Sequence, residues 1–402
     1  MKKTILILFP YRFSEFHLYK YEISKLEIKY NFKVHIHDMS NIILNEDFNS
    51  EWKTKLYKKA HKFDSLISWI NYFNKIKKKK IVIFNLINTF NFTSLIINLL
   101  VKHSNLPVIK FKSSSFSAPT NKDFNFFISR IKQHGFNLKI YFFPLKAYLT
   151  KFIDSLFKYK DIFLLSNNFE KSSSKELQTK KILKIHLHSY DYSNALLIKN
   201  KKKNYDKNYI IYLDNGAPFF SGDIKLRGEK LFNHDVEKHY KNLNNFFDTI
   251  ENFFNAKVIV IPHPKYKSPK KKIKSLNPYF NNRNVNNDYD SLAKLSSKCL
   301  FFISTYSTAI SYAIFHNKPI INIFSSQYHH TREEMDNILL QSKTLGQKPI
   351  DICKFDKKEI LKNFKIKKFK FNEYKYNYLT PKNKKIEKKP NYRIIGDLIN
   401  NI

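Results

Sequence analysis

Short runs of β-branched and aromatic residues alternate with longer amphipathic stretches along nearly all of the 402-residue chain. Alternation of that kind is the mark of a parallel sheet with helices on both faces. In the first half the spacing predicts strands over Thr4–Phe9, Lys33–His37, Lys80–Phe84, Pro107–Lys110, Lys139–Phe143 and Asp161–Leu165. Helices are expected over Glu15–Tyr30, Ser65–Asn74 and Leu145–Phe157. The polar stretch Lys199–Asn208, with Lys201–Lys203 and three Asn, reads as a linker, and the pattern restarts after it. Strands are expected over Tyr209–Leu213, Lys257–Ile261, Leu300–Ile303 and Pro319–Phe324, with helices over Val236–Phe254, Asp290–Ser297 and Thr308–Phe315. The expectation is an α/β chain of two doubly wound lobes facing a cleft, residues 1–195 and 209–350. Residues 351–402 form a Lys-rich segment of weak periodicity, whose apolar tail Tyr392–Ile402 closes as a helix against one lobe.

Composition removes several other classes. With 43% hydrophobic and 16% aromatic residues the chain can bury two cores, and it is too apolar to stay disordered despite its charge. Lys and Arg number 72 against 33 Asp and Glu, a formal net charge of +39. That excess admits nucleic acid, an anionic membrane face or an acidic glycan and its donor as partners. Much of it lies in lysine runs such as Lys77–Lys80 and Lys270–Lys272, in a chain crowded with Asn, Ile, Phe and Tyr and holding only 6 Gly. This blend is typical of AT-rich coding sequence, so part of the charge reads as compositional. A nucleic-acid binder would be expected to show a zinc finger, an aromatic-basic platform or a recognition helix, and none is visible. Cys299 and Cys353 are the only cysteines and are too far apart for a metal motif or a disulfide framework. The apolar run Ile5–Phe9 is too short for a signal-peptide core, and Ile81–Leu100 is broken by Asn85, Asn88, Thr89, Asn91 and Thr93. The expected location is the cytoplasm, peripheral at the inner membrane face.

Ligands of open parallel sheets bind beyond the carboxyl ends of the strands. Three strand ends in the second half carry chemistry. Tyr209–Leu213 runs into Asp214, Asn215 and Gly216; Lys257–Ile261 into Pro262, His263, Pro264 and Lys265; Leu300–Ile303 into Ser304, Thr305, Tyr306, Ser307 and Thr308. A carboxylate, an imidazole and a hydroxyl cluster would thus face one crevice. The hydroxyls precede a predicted helix, where free amides and the helix dipole favour phosphate, although Ser307 alone would serve as an ordinary N-cap. His263 sits between two prolines that stiffen its turn; it can hold a phosphate or protonate a leaving group, or be a plain turn residue. Asp214 is a candidate general base or a turn carboxylate before Asn215-Gly216, and Asp223 in the same loop is the reserve. Tyr328, His329 and His330 follow the strand Pro319–Phe324, but a metal there lacks further ligands.

The string Asp214-Asn215-Gly216, then His263-Pro264, then Ser304 and Ser307-Thr308 resembles the acidic-acidic-Gly, His-Pro and Ser/Thr motifs of bacterial sialyltransferases and polysialyltransferases. The wider stretches Tyr212–Lys265 and Leu300–Phe324 resemble bacterial surface-carbohydrate biosynthesis proteins of the GT-B type. The resemblance covers about a third of the chain. It implies two Rossmann-like lobes and a metal-independent glycosyltransferase without a cofactor. The donor would be a cytidine-monophosphate-activated sialic or related nonulosonic acid, and the acceptor a bacterial surface glycan or glycolipid. By motif match Asp214 stands at the base, His263 at the donor phosphate or as general acid, and Gly216, Pro264, Lys265, Ser304, Thr305, Ser307 and Thr308 around the nucleotide sugar. Asn215 departs from the pattern, which prefers a second carboxylate there and so leaves Asp223 open as the base. Phe302–Ile321 also resembles the phosphate site of polyol-phosphate transferases that build teichoic-acid-like polymers.

Overall fold

The computed structural model describes residues 2–44, 56–77, 79, 81–112, 138–166, 182–198, 208–216, 236–264, 277–286, 288, 290–328 and 332–402. The strands of the first half are β1 (Thr4–Phe9), β2 (Lys33–Asp38), β3 (His61–Lys62), β4 (Ile81–Asn85), β5 (Val108–Lys112), β6 (Ile162–Ser166) and β7 (Ile182–His186). They form one sheet in the order β3-β2-β1-β4-β5-β6-β7, every neighbouring pair parallel. The second half supplies β8 (Tyr209–Leu213), β9 (Lys257–Ile261), β10 (Asn284–Val285), β11 (Phe302–Ser304), β12 (Ile320–Phe324) and β13 (Ile350–Asp351). These form a second parallel sheet, ordered β10-β9-β8-β11-β12-β13. Chain order reverses between β1 and β4 in one sheet and between β8 and β11 in the other. Each lobe therefore has its own topological switch point, where a crevice opens beyond the strand ends.

Both central strands are apolar on both faces, because helices cover both sides of a parallel sheet. Residues Thr4 to Phe9 and Tyr209 to Leu213 are almost wholly buried. On one face of the second sheet the helix Val236–Phe254 presents Tyr240, Leu243, Phe246, Phe247 and Ile250 at helical spacing, packed on Ile210, Tyr212, Val258 and Ile303. The other face is covered by the short helices Ser291–Leu295 and Ser311–Phe315 and by the helix Tyr190–Ile198, which arrives from the first half of the chain.

Several elements differ from the expectation. Lys139–Phe143, read as a strand, is the start of a helix, Leu138–Leu156. A short apolar run has no period long enough to separate the two states, and the helical pattern that continues after it decides the outcome. The expected helix Glu15–Tyr30 is two helices, Glu15–Lys20 and Ile23–Tyr30, because Glu22 takes a left-handed backbone, φ 55°. Its carboxylate is thereby turned inward, where it accepts from the Ser193 hydroxyl and from the amide of Tyr392 at 3.1 Å. Thr308–Phe315 begins as a 3-10 turn, Thr308–Ile310, before Ser311–Phe315 becomes α-helical. The Lys-rich segment is more regular than its composition suggests, with helices Lys357–Phe364, Lys368–Tyr374 and Lys384–Glu387 and a π turn over Lys375–Leu379. β3, β7, β10 and β13 have no counterpart among the predicted strands, being short or exposed and so without a clear apolar run. The expected linker lies outside the described residues except for Asn208.

The last helix, Asn391–Asn401, packs on the first lobe. Its Tyr392, Ile395, Leu398 and Ile399 share a core with Ile5, Ile7 and Leu26, and Lys3 Nζ donates to the carbonyls of Ile399 and Asn400. Gly396 lies so close to the Tyr30 ring that a Cβ there would stand 2.4 Å from its atoms. The junction is sealed by polar contacts. Asn391 exchanges hydrogen bonds with the backbone of His188, and His188 Nε2 lies 3.0 Å and 2.9 Å from the carbonyls of Ile386 and Lys389. Those two acceptors place the proton on Nε2, so Nδ1 accepts from the Thr380 hydroxyl at 2.9 Å.

Candidate active site

A cavity of about 200 Å³ lies where the two lobes meet. The second lobe contributes Asp214, Pro262, His263, Pro264, Ser307, Thr308 and Tyr312, and the first lobe Phe16, Tyr19, Lys20, Asp191 and Asn194. Asp214 follows β8 and Ser304 ends β11, so the two stand on either side of the second sheet's switch point, with Leu213 in register with Ser304. His263 follows β9, the next strand over. Three strand ends thus converge through sheet geometry alone.

Asp214 is 7% exposed, and the amide of Gly216, itself at φ 79°, donates to its Oδ1 at 3.1 Å. Among the described residues Oδ2 has no hydrogen-bond partner. Burial pushes the carboxyl pKa up to about 7, against the amides of Gly216 and His263, which favour the charged form. A carboxyl held at one oxygen, bare at the other and poised near neutrality has the properties of a general base.

Ser307 caps the 3-10 turn, its Oγ accepting from the amide of Ala309 at 3.1 Å, while its carbonyl accepts from Gln341 Nε2 at 3.1 Å. That side chain is committed to the backbone in this state. The hydroxyls of Ser304 and Thr305 are buried without partners among the described residues, as is Asn322 Oδ1, whose residue pairs with Ser304 across β11 and β12. A buried polar atom without a partner costs roughly 1–3 kcal/mol, so three together mark a place built for something other than packing. Thr308 is exposed and donates across the lobe boundary to Asp191 Oδ2 at 3.2 Å. Asp223, Lys265, His329 and His330 lie outside the described residues.

The first-lobe wall was not foreseen from sequence. Tyr19 and Lys20 sit on the helix after β1, and Asp191 and Asn194 on the helix after β7. Desolvation and nearby carboxylates raise the hydroxyls of Tyr19 and Tyr312. Desolvation depresses the Lys20 ammonium, and Asp191 opposes that shift. Asn194 is buried with Oδ1 unpartnered among the described residues. No short motif announces such residues, because only the apposition of two lobes brings them to one cavity.

No protein-family model matches the chain, and no curated protein matches it. Among solved structures, the wall teichoic acid polymerase TagF superposes with a TM-score of 0.50 at 13% identity, over 100% of this chain and 89% of that one. The fold is GT-B. UDP-N-acetylglucosamine 2-epimerases are also similar, that of Rickettsia bellii at TM-score 0.46 and 13% identity over 100% and 98% of the two chains. The one from Methanocaldococcus jannaschii has TM-score 0.48 and 14% identity over 99% of each. At such identity the likeness concerns architecture only. The cavity occupies the interlobe cleft of this GT-B chain. A larger groove, about 1280 Å³, lies at the opposite, amino-terminal edge of the second sheet; there Arg283 already pairs with Asp248 and Glu251. Among the described residues no group of His, Cys, Asp and Glu could hold a metal ion.

Proposed function

We propose that the chain is a glycosyltransferase that uses a nucleotide-activated sugar to extend a bacterial surface glycan, with its chemistry in the interlobe cleft. The observation that carries this reading is Asp214, a buried carboxyl with one bare oxygen at a switch point, in the same cavity as His263 and Ser307. In the proposed step Asp214 Oδ2 takes the proton of an acceptor hydroxyl as the hydroxyl's oxygen bonds to the anomeric carbon. The bond from that carbon to the donor phosphate breaks, and the phosphate leaves with the electron pair. His263 stabilises or protonates that phosphate, and the hydroxyls of Ser304, Thr305 and Thr308 complete its surroundings, beside the capped turn at Ser307. Gly216 and Pro264 shape the backbone on either side. Asp191, Asn194 and Lys20 face the acceptor from the other lobe. A cavity of about 200 Å³ is smaller than the roughly 300 Å³ of a typical small-molecule site. It therefore suits the reacting end of the donor, with the nucleoside reaching beyond it.

A cytidine-monophosphate donor carrying a sialic or related acid is supported by the His263-Pro264 and Ser307-Thr308 motifs. The test is thermal stabilisation by nucleotides: cytidine monophosphate should raise Tm, and uridine or guanosine diphosphates should not. Selective stabilisation by a uridine nucleotide would overturn the donor assignment. A second reading is transfer of a polyol phosphate, supported by the strand-hydroxyl-helix arrangement over Phe302–Ile321. The two differ in the product, because only the second leaves phosphorus in the acceptor.

A further inference from the structure

The helix Leu138–Leu156 crosses from β5 to β6 on the outside of the first lobe. Its inner face is occupied. Thr150 is buried, and Asp154 accepts from Lys102 Nζ at 2.7 Å, tying the helix to its neighbour Phe92–His103. Its outer face is apolar and open: Leu145 is 53% exposed, Tyr148 70%, Leu149 50%, Phe152 55% and Leu156 62%. At about 100° per residue these five fall within a stripe roughly 100° wide. The exposed lysines Lys146 and Lys151 lie on either side of that stripe, and Lys158 and Lys160 follow it. The sole acid on the helix is Asp154, already paired inside.

We propose that this face docks the first lobe onto an anionic lipid bilayer, the helix lying in the headgroup plane. Apolar side chains with aromatics between flanking lysines match the acyl boundary below and the anionic headgroups above. A protein partner fits less well, since protein interfaces are depleted in lysine relative to the rest of the surface and here lysines flank the stripe on both sides. The helix does not cross the bilayer, because its inner face is packed on the protein, and no described helix is long and apolar enough to span a membrane. The proposal goes beyond the catalytic reading and stands without it.

The test uses the full chain and vesicles of phosphatidylcholine with or without phosphatidylglycerol. Flotation should show binding to the anionic vesicles. The paired Leu149→Glu and Phe152→Glu variant should lose at least about tenfold in partition, and Lys146→Glu with Lys151→Glu roughly fivefold or more for each charge. These positions point to solvent, so the melting temperature should be unchanged. Trp69 is fully buried, so in a Trp52→Phe background a Phe152→Trp variant is a local reporter; its emission should be quenched by lipids brominated in the acyl chain. Absence of binding, binding with Phe152→Trp unquenched, or a dimer in solution that Leu149→Glu disperses would each overturn the proposal.

Discussion

A carboxyl with a pKa of about 7 is half ionised at neutrality, so the activity assigned to Asp214 should rise with pH across that region and level off above it. In Asp214→Asn that acid limb should vanish together with about a hundredfold or more of the rate, while nucleotide still binds. If Asp223→Asn alone abolishes turnover, the base is Asp223. His263→Ala should cost a similar factor without loss of fold, and a folded variant with full activity would remove His263 from the chemistry. Glu22 gives a second, structural pH signature. Burial raises its carboxyl to about 7 although Ser193 and the Tyr392 amide favour the charged form. The folded state therefore holds a proton that the unfolded chain releases near 4.5. Its stabilisation is complete below pH 4.5 and is lost as pH rises through 7, on the order of 3 kcal/mol in all. Burial acts oppositely on His17 and His37, lowered to about 3, and on His188, lowered to about 4. They are neutral when folded, so stability falls as pH drops below 6.5. Urea denaturation from pH 4.5 to 8 should show Glu22→Gln losing less stability on the alkaline side than the parent; an identical slope would contradict the assignment.

Among elements, buried strands were the most legible. Thr4–Phe9, Tyr209–Leu213 and Lys257–Ile261 match their expected limits because each is a compact apolar run held between polar residues or prolines, as suits a doubly buried parallel strand. The helix Val236–Phe254 was equally clear from its apolar period. Lys139–Phe143 was not, since a lysine followed by four apolar residues suits a strand or a helix equally. The break at Glu22 could not be read either: it depends on Ser193 and Tyr392, hundreds of residues away. The same division runs through the lining of the cavity. Asp214 and His263 could be placed beside a crevice because they follow strands, whereas Lys20, Asp191 and Asn194 ride on helices that only docking brings to it. The final helix was expected, but its lobe was not. Gly396 explains the fit, because Tyr30 lies across it and donates to Asp397 Oδ1 at 2.7 Å. Gly396→Val should cost roughly 1–3 kcal/mol by overpacking. Adding Tyr30→Ala should recover part of that loss in thermal melts, and no recovery would place the strain elsewhere.

At the scale of the molecule, the helix Tyr190–Ile198 carries the chain from the first lobe onto the second sheet, and among the described residues the chain returns to the first lobe between Glu387 and Asn391. The second crossing is pinned by His188, Thr380 and Asn391, and the cleft itself is bridged by Thr308 and Asp191. Replacing Asp191 with Ala should therefore loosen the closed arrangement and weaken the stabilisation given by nucleotide, measured as a smaller rise in Tm on saturation; an unchanged rise would make the bridge incidental. The docking of Asn391–Asn401 on the first lobe also bears on how the protein is made. Ile5 and Ile7 leave the ribosome long before Ile395 and Ile399, which share their core. Until the helix Asn391–Asn401 has been made, the first lobe keeps an open seam, while the second lobe can already close around its own sheet. The first lobe, although its strands are made first, is then the later of the two to complete its core.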